Sequence, residues 1–190
     1  MEAQEQRIPD ILYRVAVGAL IFLVALLVGI STARAVEIVP SVGLTRSTVD
    51  GAETKSQLGI AMRGSLLPMF KHETAVGYRS EAVFNGDVKA TTVPITESIW
   101  FAPVPFFYAG GGAGMYFTSL TYRDVLLIPD TSERKFGVHL GGGFNMPLAP
   151  MLSADFQGRY VFMEEQATAL SQGSFDPDFW SMSAGISIKF

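Results

Sequence analysis

The chain has 190 residues, 14 basic against 18 acidic side chains for a net charge of −4, and no cysteine. Mild acidity without a basic cluster excludes nucleic acid as a partner, because phosphate binding needs grouped Lys and Arg. The lack of cysteine excludes disulfides and thiolate metal centres, so backbone pairing and side-chain packing must hold the fold.

The first element is apolar. Val15 to Ile30, VAVGALIFLVALLVGI, carries no charge and is followed by Ala33-x-Ala35, the small-residue pattern of a signal-peptidase site. Residues 1–35 therefore read as a secretory signal peptide cleaved between Ala35 and Val36, with retention as a helical anchor as the other reading. Arg7 and Arg14 in its leading segment are offset by Glu2, Glu5 and Asp10. Either way residues 36–190 are exported and have the length of one domain.

From Val36 onward helical periodicity is replaced by alternation, in stretches of the ~10 residues a tilted strand needs to cross a bilayer. Around Glu37 to Arg46 the apolar set is Ile38, Val42 and Leu44. QLGIAMRGSL sets Leu58, Ile60, Met62 and Leu66 against Gln57, Gly59, Ala61, Arg63 and Ser65. FKHETAVGYRSEAVF sets Phe70, His72, Thr74, Val76 and Tyr78 against Lys71, Glu73, Ala75, Gly77, Arg79 and Glu81. In TVPITESIWF the apolar phase Val93, Ile95, Ile99, Phe101 puts Glu97 among the apolar positions, unless a bulge shifts it. FYAGGGAGMYF follows, with glycine blurring its phase. FGVHLGGGFNM then opposes Phe136, Val138 and Leu140 to Gly137, His139 and Gly141, and LSADFQGRYVF opposes Phe156 and Tyr160 to Asp155 and Arg159. The last stretch, FWSMSAGISIKF, alternates Trp180, Met182, Ala184, Ile186, Ile188 and Phe190 with Ser181, Ser183, Gly185, Ser187 and Lys189.

These eight predicted strands are joined by connections of alternating length. Leu67–Met69, Ala102–Pro105 and Pro147–Pro150 are short and proline-bearing. Ser47–Lys55, Arg123–Arg134 and Glu164–Asp178 are long, and Asn85–Asp87 is intermediate. Short turns at one end and long loops at the other are the pattern of outer-membrane barrels. Aromatics fall near both ends: Trp100, Phe101, Phe106, Phe107 and Phe190 beside the short turns, Tyr116, Phe117, Tyr122, Phe162 and Trp180 toward the long loops. They read as interfacial girdles.

The predicted fold class is all-β, an eight-stranded antiparallel up-and-down transmembrane β-barrel. Its apolar faces meet lipid. Its polar faces put Arg63, Lys71, Glu73, Arg79, Glu81, His139, Asp155, Arg159 and Lys189 into a lumen where opposite charges must pair. Asp155 and Arg159, four apart on one face, are a candidate pair. An eight-stranded barrel is only wide enough for side chains to fill, so a plug is expected. Gly110, Gly112, Gly114, Gly141 and Gly143 would make room for it, or mark bulges.

The segment VPITESIWFAPVPFFYAGGGAGMYF, Val93 to Phe117, resembles the central signature of small OmpA-type and opacity-type outer-membrane barrels of the porin family. FWSMSAGISIKF resembles their closing strand. The resemblance implies an outer-membrane location in a Gram-negative envelope with the long loops at the cell surface. It also implies recognition of Phe190 by the barrel-insertion machinery as an assembly signal. Glu97 departs from it, since such strands carry an apolar residue there, and no peptidoglycan-binding domain is expected after Phe190.

No catalytic, cofactor-binding or metal-binding residues are expected. His72 and Thr74 share a face, faintly like the His-x-Ser arrangement of lipid A deacylases, but the serine is absent and no carboxylate is placed beside the histidine. GGGAG lacks the Lys-Ser/Thr and the helix of a phosphate loop. Glu164, Glu165, Asp176 and Asp178 read as a solvated acidic loop rather than a cation or saccharide site. The apolar run Val125–Pro129 reads as an extension of a strand pair, or as a partner contact. The function that follows is non-enzymatic: a structural or surface-interaction role through the long loops, with outer-membrane lipid as partner and an unknown surface ligand. The other readings are a small porin or solute channel, a lipid-modifying barrel enzyme using His72, and a soluble or tethered periplasmic β-domain.

Overall fold

A computed structural model describes residues 36–48, 52–83, 88–122, 131–164, 166–167, 174–175 and 178–190. The expected signal segment and the Val125–Pro129 run lie outside the described residues. The alternating stretches form β1 (Val36–Ser47), β2 (Lys55–Leu67), β3 (Phe70–Val83), β4 (Val88–Val104), β5 (Phe107–Tyr122), β6 (Thr131–Ala149), β7 (Leu152–Met163) and β10 (Phe179–Lys189). Between β7 and β10 a small ladder, β8 (Gln166–Ala167) with β9 (Ser174–Phe175), stands in the longest connection.

The eight long strands pair antiparallel with their chain neighbours, and β10 pairs β1 to close the barrel. Closure leaves the eight-stranded sheet without an unpaired edge, the only arrangement in which a sheet's backbone polar groups are all satisfied in lipid. The Cα partners from Val36 run through Gly64, His72, Ile99, Gly111, Leu140, Tyr160 and Trp180 and return to β1 at Arg46, ten residues along. That stagger on eight strands sets a tilt of roughly 40°.

The ladder shifts register beside each short turn: Ser65/Leu67, Phe101/Val104 and Pro147/Ala149. The turns are also tied to the next hairpin. Met69 O accepts from Ala102 N (2.7 Å), Phe106 O from Asn145 N (2.8 Å), Met151 O from Lys189 N (2.9 Å) and Val36 O from Phe190 N (2.9 Å). The short-turn rim is thereby cross-tied at four points.

Strand parity sorts the side chains. Val42 (61% exposed), Leu140 (62%) and Met182 (64%) point outward, and Arg63, Glu73, His139 and Asp155 inward at 3% or less. An apolar belt this extensive around a whole molecule is untenable in water and natural against hydrocarbon. Two expected girdle members are corrected: Trp100 and Tyr116 are inward and fully buried, because each occupies the polar phase of its strand. The rims are made instead by outward rings, including Phe70–Phe101 (5.3 Å between centroids) and Phe144–Phe156 (4.9 Å) at the short-turn end. Tyr160–Phe162 (4.7 Å) lies toward the other end.

Candidate functional site: a charge-neutral lumen plug

Register brings inward side chains of distant strands together, and glycine lets them meet. Trp100 on β4 pairs Gly110, which pairs Gly141, which pairs Arg159 on β7. With no side chain on the two middle strands, the Arg159 guanidinium reaches 5.4 Å from the Trp100 ring. Ser98, Gly112 and His139 form a similar string, and Ser98 Oγ lies 2.9 Å from His139 Nε2. A Cβ on Gly143 would stand 2.6 Å from the Tyr108 hydroxyl. The sequence expectation that these glycines yield space matches that geometry.

At the centre Arg63 donates through Nε to Glu73 (2.5 Å) and through both terminal nitrogens to Asp155 (2.6 and 3.0 Å). The planar guanidinium suits such forked binding. Tyr108 accepts from Arg63 (3.1 Å) and donates to Asp155 (3.1 Å), and Asn145 donates to the same carboxylate (3.4 Å). The second Glu73 oxygen is bound by Arg159, whose Nε donates to Gln157 (2.8 Å) and whose terminal nitrogen donates to Thr96 (3.4 Å). Two guanidinium groups meet two carboxylates, so the cluster is neutral.

Asp155 and Arg159 do not pair with each other. Four residues along a strand separate Cα atoms by ~13 Å, so each finds its partner across the lumen.

Toward the short-turn mouth, Glu37 accepts from Lys71 (3.0 Å) and from Ser187 (3.0 Å). Lys189 lines this mouth with Glu37 and Lys71, around a cavity of about 330 Å³. Toward the other end Arg79 covers the Phe179 ring at 3.7 Å, and Phe179 stands edge-on to Tyr116 at 6.1 Å. Between this cap and the central cluster lies a cavity of about 100 Å³ bordered by Ser41, Gly59, Gly77, Thr96 and Gln157, space for about three waters. The Glu81 side chain lies outside the described residues.

Sequence reasoning missed Tyr108, Trp100, Ser98 and Glu37 as plug members, although their parity places them inward. It also missed the carboxylate beside His72. β4 has no register shift from Val88 to Phe101, so Glu97 faces outward. It lies 2.6 Å from His72 Nε2 and accepts from Thr74 Oγ1 at 2.9 Å.

The expected solvated acidic loop is corrected in part. Asp178 is buried and accepts from Met163 N (2.8 Å) and the Tyr160 hydroxyl (3.3 Å), while Glu164 accepts from Phe136 N (3.4 Å). Glu165 and Asp176 lie outside the described residues. Among the described residues no cluster of three or more His, Asp or Glu could hold a metal.

No family model matches the chain, and no curated protein sequence does. Solved structures do. Neisserial surface protein A matches with a TM-score of 0.66 at 13% identity, over 82% of this chain and 99% of that one. Ail, the attachment invasion locus protein of Yersinia pestis, matches at 0.57 and 13%, over 83% and 99%. The outer membrane protein OprG of Pseudomonas aeruginosa matches at 0.56 and 14%, over 84% and 97%. With its eight antiparallel strands, closed order and apolar outer belt, the chain has the fold of the bacterial eight-stranded outer-membrane β-barrels.

Proposed function

We propose that this protein is a non-enzymatic integral outer-membrane barrel whose rigid, sealed cylinder carries surface-facing loops as its working parts. The neutral Arg63–Glu73–Asp155–Arg159 cluster carries the reading. It spans the barrel from β2 and β3 to β7 and leaves the two lumen cavities on opposite sides of it. Breaking it open would strand buried charges, at about 3–5 kcal/mol for one lost partner. A conducting path would therefore be opposed by the same bonds that hold the wall together.

The loops assigned to surface contact are Ser47–Lys55, Arg123–Arg134 and Glu164–Asp178. A role in attachment, which the name of Ail states for that protein, comes to this chain as part of the proposal. Planar-bilayer recording of the refolded barrel tests the sealed lumen. The expected result is no discrete openings from the native protein. Stable unitary openings would replace this reading with that of a small channel.

A further inference from the structure

The outer wall breaks its own rule at one place. Between the aromatic rims, the outward positions of the described residues bear no acid or base except Glu97 and His72. Arg46 and Arg134, also outward, lie toward the long-loop ends of β1 and β6. Glu97 stands four residues from Phe101, which pairs Phe70 at the short-turn rim. On a strand rising ~3.3 Å per residue and tilted ~40°, that is ~10 Å inside a hydrocarbon band ~25 Å tall.

The cluster is incompletely satisfied by its own barrel. Glu97 takes the Thr74 hydroxyl and His72 Nε2 yet remains 45% exposed. The other His72 ring nitrogen has no partner among the described residues. In lipid such groups are rare and mark functional contacts. Beside them runs a second feature: the outward face of β5 is small where it flanks β4, with Ala113 opposite Glu97, Gly111 opposite Ile99 and Ala109 opposite Phe101. Small residues permit close approach of two protein walls within a bilayer.

We propose that the β3–β4–β5 wall is an interface within the membrane, and that its occupant is a second copy of this chain. Depth excludes a lipid headgroup, because the cluster lies well below the interface, and acyl chains offer no hydrogen bonds. The patch also complements itself: it holds one carboxylate and one imidazole at contact distance, so a two-fold axis along the bilayer normal brings each beside its opposite on the other copy. Isologous contacts of this kind close as dimers.

The absence of native cysteine makes the test direct. Ala113→Cys, in outer membranes containing the full chain, is treated with a short bismaleimide. Ala184→Cys, outward on the opposite strand β10, serves as control. The proposal expects a crosslinked dimer of this chain from Ala113→Cys and none from Ala184→Cys. It also expects loss of that dimer when Glu97→Leu is added, with heat-modifiable gel migration showing that the barrel still folds. A monomer alone, an adduct of a different protein, equal crosslinking from both walls, or a dimer indifferent to Glu97→Leu would each overturn it. Loss of heat-modifiable migration in the native chain would instead remove the barrel reading itself.

Discussion

Arg63 shows how far one side chain can organise this interior. It is 2% exposed and engages Glu73, Asp155 and Tyr108 simultaneously. Arg63→Ala leaves two carboxylates short of a cation in a site that water barely reaches. The expected cost is about 3–5 kcal/mol, seen as a lower urea midpoint for refolded barrels in lipid vesicles. Adding Asp155→Asn should recover part of that loss, because Arg159 still neutralises Glu73 and the stranded charge is then gone. An Arg63→Ala midpoint equal to the native one would show that the cluster is solvated rather than buried. Individual polar residues were legible in the sequence as lumen candidates, since strand parity decides facing. Their pairing was not, because partners such as Arg63 and Asp155 are 92 residues apart and meet through the stagger of the whole barrel.

At the scale of the strand, alternation proved sufficient wherever the polar phase was unambiguous. β2, β3, β7 and β10 carry the facing that their residues announce. β4 put Glu97 in the lipid-facing phase, and a register without a shift there keeps it outward. Trp100 and Tyr116 were misplaced because aromatic character was weighed above their phase. The β8–β9 ladder has two residues per strand, too few for any periodicity to appear. Element ends depend on single anchors, and Asp178 is one: its carboxylate fastens Met163 and Tyr160, and its carbonyl accepts from Ser47 and Thr48. Asp178→Ala removes the carboxylate bonds alone, at about 1–2 kcal/mol. Faster amide hydrogen exchange at Met163 is expected, with unchanged exchange at Ala154 in the lower half of β7. Equal acceleration along the strand would contradict a local anchor.

For the molecule as a whole, the parts form an inverted protein, with ions and hydroxyls enclosed and Val, Leu, Met and Phe displayed. The inversion is consistent only if hydrocarbon replaces water around the cylinder, since the outward groups gain nothing from burial otherwise. Shear, closure and glycine lanes all serve it: eight strands enclose too little volume for water to hydrate four central charges, so those charges neutralise one another. The most direct test is labelling by a carbene probe confined to the bilayer, with the modified residues mapped by mass spectrometry in membranes containing the full chain. The account predicts modification at Ile60, Val138 and Ile186, and none at Arg63, Asp155 or Lys189. Modification of Arg63 and Lys189 with Ile60, Val138 and Ile186 left untouched would contradict it.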